Sequence, residues 1–186
     1  MIKQWRLDTN NQSLVLSSSG NRLPCVIYGG ESLPSHESPD EMIEASKKDW
    51  GDNLIDLVPE LSILPEQSAN FSGQLGSKMR DINGQLLSSS FVFHSDKVSA
   101  NSLTLIYKDK ELGLTYTAKI KSIEEHDVFA LEAKIESKNP IIMEWLSAPV
   151  IEASQNSNEI VGYGGHWGGE FRRQTSPWVT GTHLRE

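Results

Sequence analysis

The sequence predicts an all-β chain whose strands form an antiparallel β-sandwich, and three observations carry this prediction. Short apolar stretches recur along the 186 residues, with turn-forming residues between them. Residues 114–121 and 129–136 alternate between apolar and polar side chains, as half-buried strands do. A polar turn, residues 122–127, separates these two segments and lets them pair as antiparallel neighbours.

The composition is that of a globular chain that binds neither nucleic acid nor anionic membranes. There are 25 acidic and 17 basic residues, a net charge of −8, whereas phosphate recognition needs a basic surface. We expect no signal peptide and no membrane span, hence a cytoplasmic protein, because the start is polar and no apolar run is long enough. The only cysteine, Cys25, lies in an apolar run and is predicted to be a buried, inert thiol. No cofactor is expected.

The first strands are predicted to form a meander. Residues 5–7, 14–16 and 23–28 are short apolar segments with turn residues between them, and Gly29-Gly30 is expected to end the third. A long loop over residues 31–53 follows. Within it Asp40 to Lys48 is predicted as a short helix with Ser38 or Asp40 as its N-cap. This loop is either a solvated excursion or an interaction arm.

The middle of the chain is less regular. Pro59 and Pro65 make residues 54–64 an edge or irregular segment, because proline lacks the backbone donor of a sheet. Residues 71–84 are predicted as a glycine-punctuated loop that ends in an Asn-Gly turn. Extended segments are then predicted at residues 86–98, 102–108 and 141–150.

Residues 162–173 are the most unusual stretch, because glycines, aromatics and charges are concentrated there. Two interpretations stay open. In one, the stretch is a glycine-softened hairpin whose Trp167 packs in a core. In the other, it is the rim of a polar pocket, since an indole face stacks on sugars. If the segment is extended, Glu170 and Arg172 lie on one face.

Few residues form a plausible catalytic set. His166 and Glu170 are the one acid–base pair worth weighing, and they need a tight bend at Gly168-Gly169 to cooperate. Residues 124–127 are rich in possible metal ligands but occupy a predicted surface turn, so no metal site is expected. The remaining histidines are isolated in sequence, and no nucleophile elbow or phosphate-binding loop is present.

Several short segments follow one another in a characteristic order through almost the whole chain: Trp5 to Asn10, Leu23 to Gly29, Leu64-Pro65-Glu66, Phe71-x-Gly73, Leu112-Gly113-Leu114-x-Tyr116, Asp127-Val128, Gly165-x-Trp167-x-x-Glu170 and Gly181. This order resembles the N-terminal β-sandwich domain of glycoside hydrolase family 36, the α-galactosidases or melibiases. One departure concerns residues 67–80. Many members carry a Glu-Tyr-Pro to Asp-Phe-Arg loop there, whereas this chain has Gly-Ser-Lys-Met-Arg at residues 76–80. Substrate contacts of that loop are therefore not transferred.

The resemblance implies a supersandwich of the galactose-mutarotase-like kind, incomplete at its C-terminal end. Residues 1–186 are expected to be the N-terminal domain of a larger glycosidase that hydrolyses terminal α-galactosides with retention. The catalytic aspartates belong to a (β/α)8 barrel that this chain lacks, so the chain alone is expected to be inactive. It would pack on the barrel, form homo-oligomer contacts and wall the active-site entrance. The candidate residues are His166, Trp167, Glu170, Arg172 and Trp178.

Two other functions remain open at this point. The chain is alternatively a free-standing carbohydrate-binding β-sandwich that uses exposed tryptophans. It is alternatively a mutarotase-like sugar epimerase that uses His166 and Glu170.

Overall fold

The computed structural model describes residues 2–46, 60–153 and 157–178. It divides into two compact units, Met1–Glu152 and Ala153–Glu186. The elements of the first unit are β1 (Ile2–Asp8), β2 (Gln12–Ser19), β3 (Cys25–Glu31), α1 (Pro39–Ser46), β4 (Ser77–Asp81), β5 (Leu86–Leu87), β6 (Val92–Ser99), β7 (Ser102–Asp109), β8 (Leu114–Ile123), β9 (Val128–Ser137) and β10 (Ile141–Leu146). The second unit contains β11 (Glu159–Gly164) and β12 (Arg172–Pro177).

The predicted N-terminal meander is confirmed. Strands β1, β2 and β3 form one antiparallel sheet in that order. The expectation that Gly29-Gly30 ends the third strand is wrong, because Gly29 pairs with Leu14 and Gly30 with Ser13 in the ladder. An extended backbone accepts glycine, and the pairing with β2 keeps the strand going to Glu31.

The predicted helix is present as α1, and Ser38 is its cap. The Ser38 hydroxyl oxygen accepts the backbone N–H of Asp40 at 3.3 Å, with Pro39 at the first helical position. The predicted end of the helix at Lys48, like residues 49–53 of the predicted loop, lies outside the described residues.

The loop that leads to α1 is held against the first sheet. The Arg6 guanidinium donates to the carbonyls of Leu33 at 2.6 Å and Pro34 at 3.0 Å. The Leu33 N–H donates to the Ser13 hydroxyl at 2.9 Å. This part of the predicted loop is therefore held by hydrogen bonds against β1 and β2.

A second antiparallel sheet has the strand order β6-β7-β8-β9 and contains the strands with the clearest sequence alternation. Opposite charges meet across β8 and β9 where Lys119 lies opposite Glu132, with 3.9 Å between Nζ and Oε2. Both side chains are largely exposed, so the pair adds little to stability.

A third sheet, with the order β10-β4-β5, corrects two expectations. Residues 77–81, predicted as loop, form β4, because Met79 is 1% exposed and needs a place in the core. The strand predicted over residues 141–150 ends at Leu146, after a bulge near Glu144. The predicted Asn-Gly turn is confirmed: Gly84, at φ 85°, joins β4 to β5.

The core lies between the β1–β3 sheet and the β6–β9 sheet. Apolar side chains of both sheets join one buried cluster, to which Ile63 and Leu64 of the irregular segment also belong. One aromatic contact crosses between the sheets: the ring centroids of Trp5 and Phe93 are 6.2 Å apart. Within the second sheet, the Phe93 ring meets the Tyr107 ring edge to face, with 5.6 Å between the centroids. An antiparallel β-sandwich is thus confirmed for the first unit.

Cys25 is half-buried at the border of this core. Desolvation is the main reason why the pKa of its thiol lies above the ordinary range, and the nearby Glu60 carboxylate adds to it. A thiol held in its protonated form is a poor nucleophile, which agrees with the expected inert role.

Burial differs sharply between two residues that are paired across β6 and β7, and this difference predicts their contributions to stability. Leu103 is fully buried, whereas its partner Val98 is 63% exposed. Leu103→Ala is expected to lower the free energy of unfolding by about 2–5 kcal/mol. Val98→Ala is expected to cost less than about 1 kcal/mol. Urea unfolding of both variants checks this, and equal losses would contradict it.

Candidate functional site

The glycine-rich stretch forms the turn of a hairpin in the second unit. Strands β11 and β12 pair antiparallel from Glu159 opposite Pro177 to Gly164 opposite Arg172. Residues 165–171 connect them, and they include His166, Trp167 and Glu170. The hairpin itself was one of the two predicted interpretations.

The loop closes through its glycines. The Gly169 N–H donates to the His166 carbonyl at 2.8 Å, and Gly168 has φ 80°, the combination of a type II turn that favours glycine at its third position. A Cβ on Gly165 would lie 2.4 Å from the Gly169 carbonyl oxygen. The two ends of the loop therefore touch, at a distance that only glycine permits.

Trp167 stands at the tip of this turn. Its side chain is 97% exposed, so the expectation that it packs in a core is wrong. The turn places it at the second position, where the chain reverses. Phe171 and Tyr163 are also exposed, at 85% and 61%. The loop and the end of β11 thus carry three exposed aromatic rings.

The Glu170 carboxylate binds the backbone of its own loop. It accepts the Gly168 N–H at 3.0 Å. Hydrogen bonds from its own N–H and from Gly168 hold the pKa of Glu170 below its ordinary value. The carboxylate is thus engaged by its own loop, and within the described residues no hydrogen bond joins it to His166, which disfavours the epimerase interpretation.

Glu170 and Arg172 were expected to lie on one face if the segment is extended. The segment is not extended between them, so this expectation does not apply. Phe171, between them, has φ 56° and turns the chain. The Arg172 guanidinium instead lies over Gly169, where Nη2 is 3.1 Å from the place a Cβ would take. The His166 ring lies over the same glycine, at 2.9 Å from that place.

Four of the five predicted site residues are therefore brought together: His166, Trp167, Glu170 and Arg172. The fifth, Trp178, lies at the other end of the hairpin, where its backbone N–H donates to the Asn158 carbonyl at 2.9 Å. The loop combines a flat aromatic face with a guanidinium, an imidazole and a fixed carboxylate. Such a surface suits a polyhydroxylated ligand or a polar protein partner.

In the first unit, Asp127 is hydrogen-bonded to Thr9 and Asn11, and we call this contact the clasp. It joins two of the segments that carry the family resemblance. The Asp127 carboxylate accepts the hydroxyl of Thr9, the backbone N–H of Asn11 at 3.0 Å and the Asn11 side-chain amide at 3.1 Å. The Thr9 hydroxyl is the main cause that lowers the pKa of Asp127. Asp127 belongs to the predicted turn over residues 122–127. It therefore links the connection between β8 and β9 to the turn between β1 and β2. No cluster of three metal-ligating side chains occurs within the described ranges.

Glu66 is a titratable group that the sequence analysis did not single out. It borders a small cleft of about 80 Å³, and its Oε1 accepts the Phe91 N–H at 3.0 Å and the Ser89 hydroxyl at 3.3 Å. Burial raises the pKa of Glu66 to about 7, and the Asp109 carboxylate contributes. The one feature of the sequence that could have indicated a buried carboxyl group is the position of Glu66 directly after the apolar residues 63–65.

The raised pKa of Glu66 predicts a pH-dependent stability. Folding takes up a proton between the ordinary pKa of 4.5 and the folded value of about 7. The free energy of unfolding therefore falls as the pH rises through this window, and it levels off above it. Glu66→Gln keeps the hydrogen-bond acceptor and should reduce the slope. Urea unfolding from about pH 4.5 to about pH 8 measures the slope.

The control for that experiment is Glu125→Gln, in an exposed turn of the same unit. We expect the slope of this variant to match that of the wild-type chain. A slope that persists in Glu66→Gln would contradict the assignment.

No helix within the described part of the chain is long and apolar enough to cross a membrane. None of the curated proteins matches the chain in sequence.

The chain is similar to solved structures of α-galactosidases. The enzyme from Lactobacillus brevis is 14% identical with a TM-score of 0.75, over 95% of this chain and 27% of that one. A variant of AgaA from Geobacillus stearothermophilus, in complex with 1-deoxygalactonojirimycin, is 15% identical with a TM-score of 0.77, over 96% and 28%. The galactosidase domain of AgaSK, an α-galactosidase–sucrose kinase, is 14% identical with a TM-score of 0.74, over 95% and 28%.

At these identities the likeness shows the fold, and this chain spans little more than a quarter of the length of each matched protein. The sequence itself carries the family assignment. Because the model of the glycosyl hydrolase family 36 N-terminal domain matches residues 22–186, the chain belongs to that family.

Proposed function

We propose that residues 1–186 are the N-terminal, non-catalytic domain of an α-galactosidase that cleaves terminal α-galactosides of the melibiose and raffinose type with retention. The family membership carries this proposal. Solved structures with the same fold include AgaA variants in complex with raffinose and with stachyose. The partner of this domain is then a catalytic barrel of the same polypeptide, and the enzyme works in the cytoplasm.

The chemistry of retention supports a division of labour between the two domains. Retaining glycosidases use two carboxylates about 5–5.5 Å apart, one as nucleophile and one as acid/base. The candidate loop, residues 165–171, offers one carboxylate, Glu170, whose Oε1 accepts the Gly168 N–H. In the proposed division the catalytic pair belongs to the barrel, and this domain packs on the barrel, forms homo-oligomer contacts and walls the active-site entrance.

The hairpin loop is the part of this domain that we assign to the entrance. Trp167 is held at the tip of a turn that the hydrogen bond from Gly169 to His166 closes, with its indole almost wholly in solvent. An indole face stacks on the apolar face of a pyranose. Arg172 and His166, fixed over Gly169, supply donors beside it.

A second candidate function is a carbohydrate-binding module that needs no barrel, and the exposed Trp167 favours it. Galactose titration of the 186-residue chain, followed by tryptophan fluorescence, separates the two functions. The accessory domain is expected to give no change at millimolar sugar. A binding module would give a saturable change that Trp167→Ala removes and Trp178→Ala keeps.

The proposed division of labour predicts that the 186-residue chain releases no galactose from melibiose. The catalytic carboxylates are expected outside it, so its rate should equal that of buffer alone. An α-galactosidase that carries this domain together with its barrel is the positive control in the same assay. Release of galactose by the domain alone would refute the proposal.

The entrance role predicts the effect of Trp167→Ala in the α-galactosidase that contains this domain. Loss of one stacking contact, worth about 0.5–1.5 kcal/mol, should raise KM for raffinose about 2–10-fold. The kcat should stay nearly unchanged, since the contact holds substrate and transition state alike. Trp178→Ala, at the far end of the hairpin, is the matched control and should leave KM unchanged. An unaltered KM in Trp167→Ala would refute this role.

A further inference from the structure

The side chain of Glu66 connects the start of a loop to a distant segment of the first unit. Its carboxyl group does not cap the short 3-10 helix that follows it, Gln67–Ala69. Oε1 instead accepts the backbone N–H of Phe91 at 3.0 Å and the hydroxyl of Ser89 at 3.3 Å. Both donors belong to the connection between β5 and β6. One carboxyl group therefore joins two segments that lie more than twenty residues apart in sequence.

The loop that begins at this carboxyl group buries little of its own surface. Residues 67–74 are mostly exposed. The loop is closed at its base, where the Gly76 N–H donates to the Pro65 carbonyl at 2.9 Å and the Trp145 indole N–H donates to the Leu75 carbonyl at 3.1 Å. Segments with few buried contacts open at a lower cost in free energy than the core does.

A second carboxylate holds the same distant segment from another strand. Asp109, at the end of β7, is 5% exposed. Its Oδ2 accepts the Ser90 N–H at 2.8 Å, and its Oδ1 accepts the Leu112 N–H at 2.9 Å. Residues 89–91 are thus bound by Glu66 on both sides of the residue that Asp109 binds. Two carboxyl groups in one site are costly to ionise together, because like charges repel each other.

Neither acid forms an ion pair within the described part of the chain. Lys78, on β4, lines the same cleft as Glu66, but its Nζ lies 2.7 Å from Oε2 of Glu144. Tyr116, on β8, has a buried hydroxyl without a hydrogen-bond partner among the described residues. Burial is the main reason why the pKa of this tyrosine lies above its ordinary value, and the Glu66 charge adds to it. An ionised Glu66 is therefore faced by Asp109 and by a neutral tyrosine, while the lysine of the cleft binds another acid.

We propose that Glu66 is a proton-operated latch: its protonated carboxyl group holds the loop over residues 67–74 to residues 89–91, and its ionised form releases that loop. In the protonated group, Oε1 is the carbonyl oxygen that accepts from Phe91 and Ser89, and no charge is added beside Asp109. The ionised group gains free energy when it leaves the cleft for water, because burial and the Asp109 charge both oppose its charged form. The latch goes beyond the proposed function and does not depend on it.

The released state of the loop becomes more populated as the pH rises. The pKa of Glu66 is about 7 in the closed state, against an ordinary value of 4.5 once the carboxyl group is in water. The closed state is therefore fully favoured below the ordinary value, and it loses this advantage as the pH rises through about 7. A pKa difference of one unit corresponds to a tenfold change in population, so a change of at least about tenfold is expected.

Amide hydrogen exchange of the 186-residue chain, followed by NMR and corrected for the intrinsic pH dependence of exchange, tests the latch. The protection factor of the Phe91 amide should fall at least about tenfold from about pH 5 to about pH 8. The Ser90 amide, which Asp109 binds, is the internal control and should keep its protection. Low urea should accelerate exchange of the Leu105 amide in the core and leave that of Phe91 unchanged, because local opening exposes little surface.

Two variants connect the pH dependence to the side chain. Glu66→Gln keeps an acceptor oxygen and has no charge at any pH, so its Phe91 amide should show a constant protection factor. Glu125→Gln, in an exposed turn of the same unit, is the matched control and should reproduce the wild-type profile. Circular dichroism shows whether each variant keeps its strands.

The wild-type profile alone can refute the latch, so the test does not depend on the folding of a variant. Protection of Phe91 that stays constant with pH would contradict it. If Ser90 loses protection together with Phe91, the whole segment opens and the loop is not what is released. If Phe91 follows Leu105 in urea, the opening is global unfolding and the latch is refuted. A pH dependence that persists in a folded Glu66→Gln variant would assign the proton to another group.

Discussion

The burial of one face of β7 and β8 is the constraint on which the rest of the first unit depends. Leu103, Leu105 and Tyr107 on β7 and Tyr116 and Ala118 on β8 have no accessible surface. A sheet with one apolar face exposes that face to water unless a second layer of structure covers it. The β1–β3 meander is that layer, and the irregular segment with Ile63 and Leu64 closes the gap beside it.

Strands with a regular alternation could be predicted from the sequence, because a period of two directly shows which side chains are buried. This holds for β7, β8 and β9, and also for the order of the N-terminal meander. Strand β4 could not be predicted in this way. Its residues, Ser77 to Asp81, are mostly polar, and only the burial of Met79 and the pairing with β10 make them a strand.

The candidate site was predicted in its composition but not in its shape. The cluster of glycines indicated a backbone that closes on itself, and the contact of Gly165 with Gly169 is such a closure. The position of Trp167 depended on turn type, which the sequence suggested only through Gly168. Glu66 was missed because the burial that raises its pKa is created by the folded chain, which also brings up Ser89 and Phe91, distant in sequence, as hydrogen-bond donors.

The clasp between Asp127 and Thr9 spans 118 residues of sequence. Closing a loop of such length costs conformational entropy, so the clasp can form only once the two layers lie against each other. If it forms after the rate-limiting step of folding, its loss would accelerate unfolding and leave the folding rate nearly unaltered. The clasp would then act on the lifetime of the native state more than on how fast that state is reached.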